Sequence, residues 1–164
     1  MQRHFVGAVV LLGSMMLYAK SPGDAVFAGD IDVLHKRSTA GPRSARSNWF
    51  DRTGKRTGSS RTAGSRTTYY NRTGRVVGVR RGNDRRATMS DRNGRTIQRS
   101  RTSDSRTSYY DRNGRGTGYS RTQGKRTIYY NRAGQRTGYS RSSTGRTTFY
   151  DRAGRISGWS SRRN

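Results

Sequence analysis

Arginine is the residue through which this sequence is best equipped to do chemistry, because it recurs at three fixed places in a unit of twenty residues. The planar guanidinium group binds phosphate or carboxylate through two parallel hydrogen bonds and stacks on aromatic rings. The first set lies within an Asp/Asn-Arg-x-Gly sequence: Arg52, Arg72, Arg92, Arg112, Arg132 and Arg152. The second set opens a β-forming segment: Arg66, Arg86, Arg106, Arg126 and Arg146. The third set lies five residues before the second: Arg61, Arg81, Arg101, Arg121 and Arg141. Such regular rows of cations are predicted to bind a polymer with regularly spaced negative charges.

Aromatic residues accompany these arginines at the same period. Tyr70, Tyr110, Tyr130 and Tyr150 stand directly before the Asp/Asn-Arg-x-Gly sequence, whereas Ser90 takes that place in the third unit. A second aromatic residue precedes each of these four tyrosines, so the two rings of a pair lie on opposite faces of a strand. Packing in a core is one interpretation of the rings. For the outward set, stacking on bases or sugar rings beside arginine is the other. We therefore group the four tyrosines with the first two arginine sets as a candidate polyanion-binding site.

The overall charge supports anionic partners. The 164 residues include 35 Lys plus Arg and nine acidic residues, all of them Asp, for a formal net charge of +26. Such a balance predicts binding to anionic envelope polymers or glycans, with nucleic acid and an anionic membrane surface as further candidates. A solubilising coat of charge is the alternative, but it does not require the arginines to be periodic. No small-molecule substrate is expected.

The residue types needed for catalysis or metal binding are scarce. The chain has no Cys, which excludes disulfides, thiolate metal sites and a cysteine nucleophile. Its two histidines, His4 and His35, both lie outside the repeats. Four of the nine aspartates occupy one repeat position, as turn residues do: Asp51, Asp91, Asp111 and Asp151. The sequence thus predicts a protein without catalytic residues, metal site or cofactor.

The N-terminal residues have the layout of an export signal. Arg3 and His4 precede a mostly apolar run over residues 5–19, and Val26-Phe27-Ala28 supplies a cleavage site. An uncleaved anchor is the alternative, although the run is shorter than the roughly 20 residues that span a bilayer. We predict a signal peptide over residues 1–28, a flexible linker over 29–45 and a repeat domain over 46–164. The destination would be the periplasm, the cell surface or the medium.

Two turn signals alternate within each unit and define the fold class. Asp or Asn at the first position and Gly at the fourth, as in Asn131-Arg132-Ala133-Gly134, predict a type I turn followed by a glycine bulge. A second turn is predicted around each of five positions: Gly64, Asp84, Asp104, Gly124 and Thr144-Gly145. The segments between turns are rich in Thr, Tyr, Val and Ile, which favours strands. The prediction is an all-β domain of 20-residue repeats, forming an antiparallel β-hairpin meander of about a dozen strands, solenoid-like or rolled. Such a meander has two end strands, and the sequence leaves open how they are protected.

The face of each residue follows from the assumed bulge. If Tyr129 pairs with Thr137, these two residues lie on the same face of the sheet, and this face is the candidate core. The opposite face, which contains Tyr130, Gly138 and Ser140, is the candidate binding face. The predicted core residues are Thr127, Tyr129, Thr137, Tyr139, Val77, Val79, Ile97, Tyr109, Tyr119, Phe149 and Trp159. This core is thin for so charged a chain, so we expect a marginal fold that gains order from salt or a polyanion.

Two families of extracellular repeats resemble this pattern. Tyr110-Asp111-Arg112-Asn113-Gly114-Arg115 and the matching residues 150–155 are similar to the Tyr-Asp-x-x-Gly-Arg core of YD (RHS-type) repeats. The spacing of Gly118-Tyr119, Tyr129-Tyr130 and Gly138-Tyr139 is also similar to choline- and glucan-binding cell-wall repeats, which are β-hairpin solenoids. The chain lacks the regular apolar residue after Gly-Arg of the first family and the many Trp of the second. Both resemblances imply an exported β-repeat protein.

The combined prediction is an exported, non-enzymatic β-repeat protein with a structural or binding role at the bacterial envelope or surface. It would engage anionic polymers through rows of arginine. The alternative is a nucleic-acid-binding protein in which Arg and Tyr grip single strands.

Overall fold

The structure, a computed structural model, describes residues 44–163, so the predicted signal peptide and most of the predicted linker lie outside the described residues. The described chain forms twelve strands and no helix. They are β1 (Ser44–Asp51), β2 (Arg56–Ala63), β3 (Arg66–Asn71), β4 (Val76–Gly82), β5 (Arg86–Asp91), β6 (Thr96–Ser103), β7 (Arg106–Asp111), β8 (Gly116–Gln123), β9 (Arg126–Asn131), β10 (Arg136–Ser143), β11 (Arg146–Asp151) and β12 (Ile156–Arg163). Within these residues no helix has the length and apolar character needed to span a membrane.

The strands form an antiparallel meander that closes into a barrel. Each strand pairs with its neighbours in sequence, and β1 pairs with β12 from Arg46 opposite Arg163 to Asp51 opposite Gly158. The predicted all-β meander of about a dozen strands is confirmed. The sequence leaves open how the two end strands are protected, and in the structure the first and last strands satisfy each other's backbone hydrogen bonds. Closure removes the edges through which open sheets associate.

The first turn has the predicted geometry. In the fifth unit Gly134 N donates to Asn131 O at 3.0 Å, and Asn131 N donates to Gln135 O at 3.0 Å. Gly134 has a φ of 77°, in the left-handed region that glycine adopts without steric cost. The side-chain oxygen Oδ1 of Asn131 accepts from Gln135 N at 2.9 Å and fixes the turn from inside. The type I turn with a glycine bulge is therefore confirmed.

The second turn is a tight two-residue connection in most units. Ser103 pairs with Arg106, so that Asp104 and Ser105 alone form the loop. Asp104 has a φ of 51°, where the other units place Gly64 and Gly124 with φ of 54° each. Asp is one of the few non-glycine residues that tolerate this region. The predicted position of the second turn is confirmed.

A second bulge decides which side chains enter the barrel. Arg136 pairs with Tyr130 as predicted, but Tyr129 pairs with Gly138 instead of Thr137, which is the extra residue of the bulge. Slipping the register by one residue exchanges the two faces of the strand. Gly138 and Ser140 are consequently buried beside Tyr129. The predicted core placement of Tyr139 and its equivalents is wrong: Val79, Tyr119, Tyr139 and Trp159 lie on the outer wall.

Large side chains on the odd-numbered strands fill the barrel opposite small residues on the even-numbered ones. Trp49, Tyr69, Tyr109, Tyr129 and Phe149 are all buried. Tyr129 lies opposite Gly138, and its hydroxyl group hydrogen-bonds to Ser140 Oγ at 3.0 Å. Nearer the second turns, paired hydroxyl groups line the interior, as in Thr122 Oγ1 to Thr127 Oγ1 at 3.0 Å. The core therefore combines aromatic rings with a hydrogen-bonded layer of Ser and Thr.

One unit departs from this interior pattern. Arg80 occupies the position at which the other units carry a buried or half-buried serine that faces the barrel interior. Only 4% of the surface of Arg80 is exposed. Its Nη2 atom donates to Asn83 O at 3.2 Å. The neighbouring interior pair is Gly82 opposite Ala87, where other units have paired hydroxyl residues. We infer that these two small residues leave the volume that the long Arg80 side chain occupies.

Candidate anion-binding surface

The sequence repeats place a belt of arginines around the outer wall of the barrel near the second turns. This arginine belt consists of Arg46, Arg61, Arg66, Arg81, Arg86, Arg101, Arg106, Arg121, Arg126, Arg141 and Arg146. All are exposed except Arg126, which is half-buried. They alternate with the interior residues along each strand, so the same periodicity that fills the barrel points them outward. The two strand-borne sets of the sequence thus form one continuous surface.

The belt is built from arginines that face each other directly. Five hairpins carry such an opposed pair: Arg46–Arg61, Arg66–Arg81, Arg86–Arg101, Arg106–Arg121 and Arg126–Arg141. In the sixth hairpin Arg146 lies opposite Ser161. Successive pairs are two strands apart, about 10 Å along the wall. Like charges at directly opposed positions destabilise a sheet, so this pattern works against folding in the absence of an anion.

Aromatic rings hold part of the belt in place. Tyr119 and Tyr130 stack with centroids 4.6 Å apart, and the guanidinium carbon of Arg106 lies 4.1 Å from the Tyr119 centroid. The next unit repeats this arrangement, with Arg126 at 4.6 Å from the Tyr139 ring and Tyr139 stacked on Tyr150 at 4.5 Å. A third stack joins Arg146, Trp159 and Phe50, with the last two rings 5.2 Å apart.

These three stacks change the expected role of the outer tyrosines. One face of Tyr130 and one face of Tyr150 are already covered by a neighbouring ring. Tyr130 and Tyr150 therefore support the rings of Tyr119 and Tyr139, which make the cation–π contacts with arginine. Tyr70 and Tyr110 also lie on the outer wall, but Ser59 and Arg99 stand opposite them in place of a ring.

The arginines of the first turns form a separate ring at the opposite end of the barrel. Arg52, Arg72, Arg92, Arg112, Arg132 and Arg152 are exposed there. A strand of about six residues separates each of them from the belt, which corresponds to roughly 20 Å. Neighbouring turns are joined by long side chains, as in the 2.9 Å hydrogen bond from Arg136 Nη2 to Arg152 O. The predicted site residues are consequently divided between two ends of the molecule.

Four aspartates are engaged in the first turns, whereas Asp84 and Asp104 lie in second turns and line one cleft with Arg86 and Arg101 of the belt. Asp51 Oδ1 accepts hydrogen bonds from Thr53 Oγ1 at 2.6 Å, Thr53 N at 2.9 Å and Lys55 N at 3.1 Å. The hydroxyl group of Thr53, followed by the two backbone amides and the charge of Lys55, lowers the pKa of Asp51 below its ordinary value of 3.8. Asp91, Asp111 and Asp151 bind their turns through Oδ1 in the same way. Two carboxylates beside eleven arginines leave the belt with a net positive charge.

Sequence reasoning misses part of this surface. Arg46 and the third arginine set lie outside the candidate site that the sequence predicts, although they complete the opposed pairs. Tyr119, Tyr139 and Trp159 are expected in the core from the sequence, although they form the outer stacks. The glycine that precedes each of these three residues is the sequence signal for their outward orientation. It lies on the interior face, and the next residue of a strand lies on the opposite face.

No cluster of three or more metal-binding side chains occurs among residues 44–163. Comparison of the chain with protein-family models, with curated proteins and with solved structures gives no match.

Proposed function

We propose that this chain is an exported, non-enzymatic β-repeat protein that binds anionic polymers of the bacterial envelope or surface through its arginine belt. The observation that carries the proposal is the set of five opposed arginine pairs. An array of like charges at two-strand intervals destabilises the isolated barrel, and a bound polyanion relieves that repulsion.

Export is the second part of the proposal, and it rests on the pattern of residues 1–28. Anionic glycans and phosphate-containing wall polymers are the polyanions that an exported protein would meet first. The resemblance to YD and cell-wall repeats is consistent with such a location.

Nucleic-acid binding is the second candidate function, favoured by the tyrosines beside the belt. It predicts a steep fall in affinity with salt, because condensed counterions are released from the nucleic acid. It also predicts preference for single strands, whose bases stack on exposed ring faces.

The proposal is tested by thermal unfolding of residues 29–164 at about 150 mM salt, where exposed charges are screened beyond about 8 Å. Heparin and single-stranded DNA are titrated separately, and the melting temperature is followed by circular dichroism. A ligand that binds only the folded state raises the melting temperature with concentration. A rise with heparin supports the glycan class, a rise with DNA alone supports the second candidate, and no rise with either contradicts both.

A matched pair of triple variants locates the binding surface. Arg61→Ser/Arg121→Ser/Arg141→Ser removes three belt charges and introduces the residue that Ser161 already provides at this place. Arg75→Gln/Arg95→Gln/Arg115→Gln removes three charges near the first turns and introduces the residue found at Gln135. We expect the first variant to lose most of its heparin affinity and to melt at a higher temperature than the wild type at low salt. Equal losses in the two variants would contradict a role specific to the belt.

A further inference from the structure

The third unit carries an additional arginine on the outer wall, at the position where three other units carry an aromatic ring. Where the fourth, fifth and sixth units carry Tyr119, Tyr139 and Trp159, this unit carries Arg99. The rings of those units lie under the guanidinium groups of Arg106, Arg126 and Arg146. The equivalent Arg86 has no ring at this place, and a second cation stands there.

The strand register gathers four arginines around this position. Arg86 lies directly opposite Arg101, and Arg99 lies opposite Thr88 on the same two strands. Thr88 is in turn opposite Arg81 on the next strand. The side chains of all four arginines are exposed. Directly opposed residues have Cβ atoms about 5 Å apart, so the four guanidinium groups can reach a common point above Thr88.

These side chains line a cleft of about 380 Å³ on the outer wall of β4 to β7. Its lining includes the four arginines, Thr88 and Tyr110, and none of the described lining residues carries a carboxylate. Asp84 and Asp104 line a neighbouring cleft, which shares Arg86 and Arg101 with this one. The two aspartates thus border Arg86 and Arg101 from the neighbouring cleft, while the arginine cleft itself is lined by cations without a carboxylate.

We propose that this arginine cleft is a discrete site for a compact tetrahedral oxyanion, of the phosphate or sulfate monoester class. Several planar guanidinium groups within reach of one point can match the oxygens of such a group through charge-assisted hydrogen bonds. Tyr110 at the edge of the cleft offers a ring beside the ester substituent. The site differs from the belt because it binds one charged group locally and does not require a polymer.

The decisive variant is Arg99→Tyr, which introduces the residue type of the fourth and fifth units and leaves every residue of the arginine belt in place. Because Tyr119 and Tyr139 already occupy this position, the variant is expected to fold. Arg95→Gln serves as the control, since it removes one positive charge from the same unit and Gln135 shows that the turn accepts glutamine. Arg99→Gln separates loss of the charge from introduction of a ring.

Binding of inorganic phosphate and of glucose 6-phosphate is measured by calorimetry at about 150 mM chloride, a salt level that screens diffuse charge. We expect both Arg99 variants to bind about tenfold more weakly or worse, since a hydrogen bond between charged groups is lost, and Arg95→Gln to bind like the wild type. Tighter binding of glucose 6-phosphate than of phosphate assigns the site to an ester whose sugar contacts Tyr110, and equal binding assigns it to the oxyanion alone. Equal affinities in the wild type and Arg99→Tyr, or equal losses in Arg99→Tyr and Arg95→Gln, would overturn the proposal.

Heparin titration of the same variants separates this site from the function proposed for the belt. Heparin affinity retained in Arg99→Tyr, with phosphate affinity lost, supports two distinct sites. A wild type that binds phosphate but no polymer overturns belt binding alone and leaves the arginine cleft standing.

Discussion

Single side chains in the barrel show how far each repeat satisfies its own buried polar groups. In the fourth and fifth units a buried tyrosine hydroxyl group bonds to the serine eleven residues later, as Tyr109 does to Ser120 at 2.9 Å. In the sixth unit Phe149 replaces the tyrosine, and the fully buried Ser160 Oγ has no hydrogen-bond partner. A buried hydroxyl group without a partner destabilises a fold by about 1–3 kcal/mol.

Phe149→Tyr is therefore expected to stabilise the protein by about 1 kcal/mol, because it supplies the missing partner of Ser160. The measurement is the free energy of unfolding in urea. Ser160→Ala in the Phe149→Tyr background should remove the gain, and Ser160→Ala alone should be neutral or slightly stabilising. Destabilisation by Phe149→Tyr would mean that the sixth unit cannot accommodate the hydroxyl group as the fourth and fifth units do.

The first-turn carboxylate gives a prediction on pH. Since hydrogen bonds from Thr53 and the turn amides lower the pKa of Asp51, its contribution to stability is present above the pKa of the unfolded chain and is lost as the pH falls through the folded pKa. The side-chain carboxyl carbon of Asp51, followed by NMR, should titrate below 3.8. Thr53→Ala should raise this midpoint, whereas Thr73→Ala, in a turn that begins with Asn71, should leave it unchanged. A midpoint at or above the ordinary value in the wild type would refute the role of the Thr53 hydroxyl group.

At the scale of the strands, glycines set how closely neighbouring backbones approach. A Cβ atom added to Gly138 would lie 2.5 Å from Tyr150 O, and one added to Gly158 would lie 2.4 Å from Phe50 O. Nothing lies within 4 Å of a Cβ added to Gly116, which is also in a strand. The interior glycines are thus required by close approach, and Gly116 is not.

We expect Gly138→Ala to destabilise the protein by about 1–3 kcal/mol, because the neighbouring strand must move to admit the methyl group. Gly116→Ala, the matched control, should stay within about 0.5 kcal/mol of the wild type. Both are measured by chemical unfolding. If both variants lost the same free energy of unfolding, the loss would come from replacing any strand glycine and not from the close approach of the neighbouring strand.

At the scale of the molecule, closure joins the two ends of the described chain. Phe50 and Trp159 are paired across β1 and β12 and stack with an interplanar angle of 16°. Because these residues are far apart in sequence, bringing them together costs chain entropy before their contacts stabilise the fold. Each unit is a hairpin that packs against its neighbours in the barrel. Closure of the barrel therefore gives the first and last hairpins two neighbouring hairpins each.

Closure predicts a specific cross-link. The chain has no cysteine, and Asn48 lies directly opposite Ser161 on the outer wall. Directly opposed residues have Cβ atoms about 5 Å apart, which is close to the separation of about 4 Å that a disulfide bridges. Oxidised Asn48→Cys/Ser161→Cys should migrate as a compact monomer with an intramolecular disulfide, whereas Asn48→Cys/Ser108→Cys, on distant strands, should not. Intermolecular dimers from both variants would indicate an open sheet.

The sequence alone determined the number of strands, both turn positions and the first-turn geometry. These features are local, since Asn131 and Gly134 act within one turn and the twenty-residue period repeats them without interruption. The periodic arginines likewise predicted a cationic surface, because the net charge and the spacing of the arginines are properties of the chain itself.

Only the tertiary structure decided which residues face outward and which arginines meet. A single extra residue at Thr137 exchanges the faces of β10 and moves Tyr139 from the expected core to the outer wall, and the sequence alone does not fix how a bulge is paired. Closure depended on pairing between the first and last strands, which no local pattern encodes. The opposed arginine pairs and the arginine cleft follow from the first of these outcomes, because strand register sets which guanidinium groups lie side by side.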